Sequence, residues 1–593
     1  MTERPGLPEL VTTPGAAPLP DALDAARPRA ARGIPPAVAG ALALGLFLGL
    51  AVLAMWPGLF TGHDTIVGNT GDPSIFIWSL QWMPFALSHH LNPLLTDYVH
   101  YPSGANLMWN TSILFPALVL APVTDLFGPI VSYNVLAVLG MSLSGWCAFL
   151  AVHRYARRWI SAAIGGLLYE FSPFMAVHIT GHPQLYIAVF PPLLVIFADE
   201  ILVRQRRRAW VIGGWLGLAA ACQLLTGTEL LTICVLMSIP ALVTVGVIFR
   251  AQLRERLPYA LRALGTAAVT FLVLAAYPLY VLLLGPQRVS GSLWGYGYVA
   301  RPTSFLIPSS FELISGPSAV LDTCVYIGVP LLILAVAVTV RLRRHPAVVT
   351  AAVTVVCAAV LALGGRLTLH GAPTHIPLPW IIPEHLPVLD NVLPVRLMIA
   401  GFLALAVILA VFLDRVLEAP LRWRAAGLAA AACALVPLIP SLPIPSGQFA
   451  VPAFFTDGGA RELPGAGSVL MTPYGTEPAD YVVDVWQAES GMAFKTSLGL
   501  VFTPGPGGHE WGPQMDALGE ELSALSNGEA SSPVALSPSI RSTYLGDLQA
   551  RDVTSIVVGP STGEAAMVQL FTDLLGAPGT STGGVVVWSD VHP

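Results

Sequence analysis

The chain has 593 residues, of which 54% are hydrophobic and only 11% charged; a soluble chain carries roughly 25% charged residues, so a string of soluble domains is excluded. Net charge is −6 and the single lysine is Lys495, which excludes nucleic acid as a partner. All six cysteines, Cys147, Cys222, Cys234, Cys324, Cys357 and Cys433, fall inside apolar runs, so neither a disulfide framework nor a zinc site is indicated.

In chain order, residues 1–35 are rich in Pro, Ala and Arg without helical periodicity and read as a disordered cytoplasmic tail. The first apolar run starts near Pro36 and is long enough to span, so it is expected to stay as an anchor. Runs of span length follow at 37–60, 130–152, 159–178, 184–203, 209–227, 230–249, 263–285, 323–340, 346–364, 397–413 and 425–443, about eleven spans. The stretch 111–128 contains Pro116, Pro122 and Asp125 and is short. Keeping it outside, as a re-entrant or interfacial helix, leaves 21 of the 29 basic residues on the inner side, as short basic loops require.

The predicted fold is therefore an all-α polytopic membrane bundle, N-terminus inside, over 36–443. It has a long first outer loop at 61–129 and further outer loops at 286–322 and 365–396. Residues 444–593 form a small extracytoplasmic α/β domain; from 445 onward there are 4 basic and 16 acidic residues. Within it 467–471, 556–559 and 584–588 read as strands and 511–526 and 563–575 as helices.

Side chains suited to chemistry gather in the first outer loop. Asp64 lies just beyond the first span, and Asp72 follows a glycine-rich turn and precedes Pro73. Asp before Pro is also a standard helix start, so Asp72 has a second reading as an N-cap. Asp64 and Asp72 with His63 would allow a divalent cation. Four arginines lie in outer loops of the membrane part: Arg288, Arg301, Arg366 and Arg396. Trp294, Tyr296 and Tyr298 read as a boundary belt. Glu170, His178, Asp199, Glu200, Gln223 and Glu229 are costly in hydrocarbon and should face the protein interior. Asp199 and Glu200 are expected to pair with Arg204 and Arg206–Arg208.

The order of first span, long acidic outer loop, second span ending in Arg154-Tyr-Ala-Arg-Arg158, many further spans and an outer C-terminal domain resembles the GT-C superfamily of integral membrane glycosyltransferases. More locally, the chain is similar to actinobacterial, YfhO-like membrane proteins of that superfamily. The matching stretches are Gly71-Asp72-Pro73 with Trp78 and Trp82, Tyr101-Pro-Ser-Gly-Ala-Asn106-Leu107, Phe171-Ser-Pro-Phe174 with His182, Gln223 with Glu229, and Pro394-Val-Arg396.

The resemblance implies a sugar transfer in the cell membrane, from a polyprenyl-phosphate donor to a cell-envelope glycan, lipid or protein acceptor. It implies Asp72, or else Asp64, as general base. Arg396, Arg301 and Arg288 would contact the lipid phosphate, and His182, Glu229 and Asn106 would line the substrate cavity. A transporter or flippase of a lipid-linked precursor and a non-catalytic envelope-assembly protein are the alternative readings.

Overall fold

The computed structural model describes residues 35–293, 298–369 and 371–592; the expected tail up to residue 34, Trp294 and Tyr296 lie outside them. Among the described residues nine helices are long and apolar enough to cross a membrane: Pro36–Phe60, Pro129–Val152, Pro183–Arg204, Ala209–Thr226, Thr228–Ile248, Arg250–Leu284, Thr323–Arg341, Pro394–Glu418 and Leu421–Leu438. Two of the eleven expected spans fall short of that length. Pro346–Ala362 has only 17 residues. The run 159–178 splits into Trp159–Glu170 and Pro173–His178, because Ser172 accepts the Met175 N–H and Pro173 opens a new helix at its first position. The stretch at 111–128 forms the 14-residue helix Leu114–Phe127.

Helix α1 is Pro36–Phe60, α2 is Pro73–Ser88 and α3 is Pro129–Val152. The two ends of α3 mark two ends of the molecule, about 36 Å apart at 1.5 Å per residue. Just past its last turn, Arg154 pairs with Asp199 at 2.6 Å and Glu200 at 3.0 Å, while Arg204 reaches Asp199 at 2.6 Å. The backbone N–H groups of Arg206 and Arg207 donate to Glu200 at 2.6 and 3.0 Å. Isolated in hydrocarbon these carboxylates would be prohibitive; ringed by arginines and N–H groups they are fully paired.

At the other end of α3 the long loop after α1 interlocks with the C-terminal part. Strand β1, Thr65–Val67, pairs antiparallel with β2, Ser446–Gln448. Helix α4, Val482–Glu489, lies against α2, where Trp78 Nε1 donates to Gln487 Oε1 at 2.6 Å. Lys495 pairs with Asp97 at 2.6 Å, and Asn110 donates to the Phe502 carbonyl at 3.1 Å.

The C-terminal sheet has the order β5-β6-β4-β3, with β3 Ser468–Thr472, β4 Val553–Val558, β5 Thr580–Thr582 and β6 Val585–Ser589. Only β3 and β4 run parallel. Helices Ala517–Ser526, Pro538–Ala550 and Glu564–Leu575 accompany it. Leu470, Trp486, Ile556 and Phe571 belong to the core of this part. Val485, Ala488, Met492 and Val501 belong instead to the core of the membrane part, so the two parts share apolar burial as well as hydrogen bonds.

Candidate functional site

The Gly-Asp-Pro turn sets the geometry at Asp72. Gly71 has φ +124, a region that favours glycine, and a Cβ there would stand 3.2 Å from Pro478 Cβ of the C-terminal part. Pro73 opens α2, yet Asp72 itself has φ −46, ψ −35 and its side chain caps nothing. The N-cap reading is thereby corrected. A capping side chain needs an extended backbone, and here the carboxylate is directed elsewhere: His182 Nε2 is 3.1 Å from Asp72 Oδ2.

His182 follows helix Pro173–His178 by one tight turn, its N–H donating to the His178 carbonyl at 2.8 Å. Gly181 packs against the Asp72-Pro73 turn, where a Cβ would lie in ordinary contact, 3.4 Å from Pro73 Cδ and 3.8 Å from Asp72 Cβ. The His178 and His182 rings stand 5.7 Å apart, edge to face. His178 Nδ1 is 2.7 Å from the Phe174 carbonyl, which fixes that ring.

A second pair completes the group. Arg396 forms an ion pair with Glu229, and the Leu393 N–H donates to the other Glu229 oxygen at 3.0 Å. Glu229 sits in the first turn of helix Thr228–Ile248, where a carboxylate is favoured by the helix dipole. Both side chains are mostly buried, 12% exposed for Arg396 and 15% for Glu229. Asp72 is 52% exposed. Burial opposes its ionisation, but the hydrogen bond and charge of His182 and the field of Arg396 outweigh burial and hold its carboxyl below the usual carboxylate value.

The remaining sequence candidates lie apart from this group. The Asp64 carbonyl accepts the Phe449 N–H at 3.0 Å, and its charge bears on Glu489. Arg288 turns back onto the Leu283 carbonyl of its own helix end. The Arg301 N–H donates to Ser304 Oγ at 3.2 Å at the start of a short 3₁₀ turn, and its guanidinium forms no ion pair among the described residues. Asn106 is fully buried. Its amide donates to the Val281 and Pro286 carbonyls, both at 2.9 Å, and its oxygen accepts the Met108 N–H at 3.1 Å. Both amide hydrogens tie the loop after α1 to the end of a spanning helix. Among the described residues no group of three His, Cys, Asp or Glu side chains gathers as a metal would need, and Asp64 and His63 do not join Asp72 in one.

Two features escape the sequence. Tyr481, whose hydroxyl donates to the Thr476 carbonyl at 2.9 Å, feels the Asp72 charge; with Pro478 it brings the C-terminal part over the site. Gln184 flanks the turn at Gly227, where a Cβ would meet its carbonyl oxygen at 3.1 Å. Its only sequence signal is its place two residues beyond His182.

Spanning helices around a charged group at one end define a multi-pass membrane protein with a polar site at its boundary. Residues 37–389, more than half of the chain, match the family described as a domain of unknown function, DUF6311, and the chain belongs to that family. No curated protein matches the sequence. Among solved structures it is similar to the oligosaccharyltransferase AglB from Archaeoglobus fulgidus in complex with an inhibitory peptide and a dolichol-phosphate, with TM-score 0.45 and 11% identity over 88% of this chain and 69% of that one. It is also similar to ArnT from Cupriavidus metallidurans in the apo state, with TM-score 0.45 and 14% identity over 94% and 98%. For ArnT bound to undecaprenyl phosphate the values are 0.37 and 11% over 92% and 98%.

Proposed function

We propose that the protein is a membrane glycosyltransferase that moves a sugar from a polyprenyl-phosphate donor to an extracytoplasmic cell-envelope acceptor. The observation that carries this reading is the Asp72 carboxylate: ionised, half exposed, aimed by His182 and lying in the field of Arg396. The arginine bias of the loops supports an outer position for this end, with the C-terminal part over the site.

The acceptor hydroxyl gives its proton to Asp72 Oδ1 or Oδ2 as its oxygen bonds to the anomeric carbon. The bond from that carbon to the phosphate oxygen breaks, and the electron pair leaves with the lipid phosphate. Arg396, whose field reaches Asp72, receives that charge; Glu229 holds it in place until the phosphate competes for it. His182 keeps Asp72 oriented and anionic. A radiolabelled-sugar transfer assay on the purified protein with defined polyprenyl-phosphate sugars tests the reading: transfer that requires Asp72 and Arg396 supports it, and retained transfer in both variants opposes it.

A further inference from the structure

Among the described residues, three buried polar atoms beside the Asp72 site have no hydrogen-bond partner: His182 Nδ1, Gln184 Oε1 and Gln223 Oε1. Gln223 is 0% exposed and Gln184 8%. They belong to one region of the fold. Gln223 Nε2 donates to the Gly227 carbonyl at 3.1 Å, which fixes the orientation of its amide and leaves the oxygen open. Gln184 packs on the same glycine from the other side. Two residues beyond Gly227 stands Glu229, the partner of Arg396.

The third atom belongs to His182, whose ring faces the Asp72 carboxylate with Nε2 at 3.1 Å and turns Nδ1 into the buried interior. The two glutamine oxygens thus present open acceptors on the wall between His182 and Gly227. Such a wall repels an anion, so the phosphate belongs at Arg396, and it rewards a ligand rich in neutral O–H donors. A buried carbonyl left without a donor is costly, and each such group in a folded protein calls for a partner.

We propose that Gln184 and Gln223 form the subsite that accepts hydroxyl hydrogens of the donor sugar, and so select which sugar is transferred. This inference rests on the transferase reading and orients the donor within it, phosphate toward Arg396 and sugar ring toward the two glutamines. No chemical step is assigned to them; they touch the sugar and discriminate.

The test uses the purified full chain and farnesyl-phosphate-linked mannose, glucose, arabinose and ribose, with the mono-deoxy analogues of whichever sugar is transferred. Wild-type protein should prefer the parent sugar over at least one deoxy analogue by about ten- to a hundredfold in kcat/KM, the range that one buried acceptor left unpaired produces. Gln184→Met and Gln223→Met, close in size but without the acceptor, should each erase most of the preference for a particular hydroxyl. A merely structural glutamine would lower the rates for parent and analogue alike and leave their ratio unchanged; unchanged ratios in both variants overturn the inference while the transferase stands. Wild-type protein indifferent to every deoxy analogue overturns it without recourse to the variants. Failure of the wild type to transfer any sugar overturns the transferase reading, and the subsite with it.

Discussion

His182 Nε2 lies 3.1 Å from Asp72 Oδ2, and this contact joins the long loop after α1 to the turn after helix Pro173–His178, 110 residues later in the chain. It determines what Asp72 can do. A carboxylate that capped its own helix would be spent on backbone N–H groups; one held by an imidazole at the edge of the site keeps an oxygen free for a substrate.

The pH profile should show the pairing. Burial raises the Asp72 pKa, and His182 and Arg396 more than reverse it, so a wild-type rate that needs ionised Asp72 keeps its acid limb below the ordinary carboxylate range. In His182→Ala burial acts with less opposition, and the limb should move to higher pH. A log(kcat/KM) profile with an unmoved acid limb in His182→Ala would contradict the pairing.

The Arg396–Glu229 pair predicts a non-additive cycle. Removing one charge of a mostly buried pair leaves the other unpaired, typically at about 3 kcal/mol or more, while removing both costs less than the sum. Arg396→Gln should lower stability and raise the donor KM; Glu229→Gln should lower stability; the double variant should regain much of the stability but not the KM. Thermal unfolding of the four proteins measures the first part, and additive losses would contradict the pair.

Much of the fold was legible because it follows from solvation. Length of apolar run, arginine placement and proline positions mark the spans, and the pairing of Asp199 with Arg204 follows from the cost of charge in hydrocarbon, whereas Glu200 takes Arg154 from a distant turn. The expected strand at 467–471 lies at Ser468–Thr472. The break after Glu170 was written in Ser172-Pro173 but hidden by an unbroken apolar average. At the site, Asp72 was marked by its turn and by the resemblance, which also supplied His182, Glu229 and Arg396. That Glu229 would meet Arg396, 167 residues away, has no local signal. Asn106 misled for a related reason, since a buried asparagine that stitches two backbones looks in sequence like one that binds a ligand.

The joint between the two parts should weaken as pH rises. Burial pushes the Asp484 carboxyl up to about 7, against one hydrogen bond from the Leu500 N–H. Burial and the Asp64 charge likewise raise Glu489 to about 7, against the Ile130 N–H at the start of α3. Below pH about 3 both groups are protonated in the folded and unfolded chain alike. Between there and about 7 the unfolded chain loses its protons first, so stability falls across that window and levels off above it. The Tm should drop from pH 5 to 7, and Asp484→Asn with Glu489→Gln should flatten the slope; an unchanged slope would contradict the assignment.

A fragment of about 450–593 should fold around Leu470, Trp486, Ile556 and Phe571 but expose Val485, Ala488, Met492 and Val501, which the membrane part covers in the whole chain. Circular dichroism should report mixed helix and strand together with strong binding of a hydrophobic dye. An unfolded spectrum would mean that the membrane part supplies the missing core.

The central claim is that Asp72 takes the acceptor's proton, and the most direct measurement is sugar transfer by Asp72→Asn. Asparagine keeps the size and can still accept from His182 Nε2, and since Asp72 caps nothing, the change should leave folding and membrane level intact. Loss of a general base costs about 10²–10⁴-fold in rate. The account predicts a fall in kcat of that order with donor binding retained, and near-normal transfer by Asp64→Asn; an Asp72→Asn protein that transfers sugar at close to the wild-type rate would contradict it.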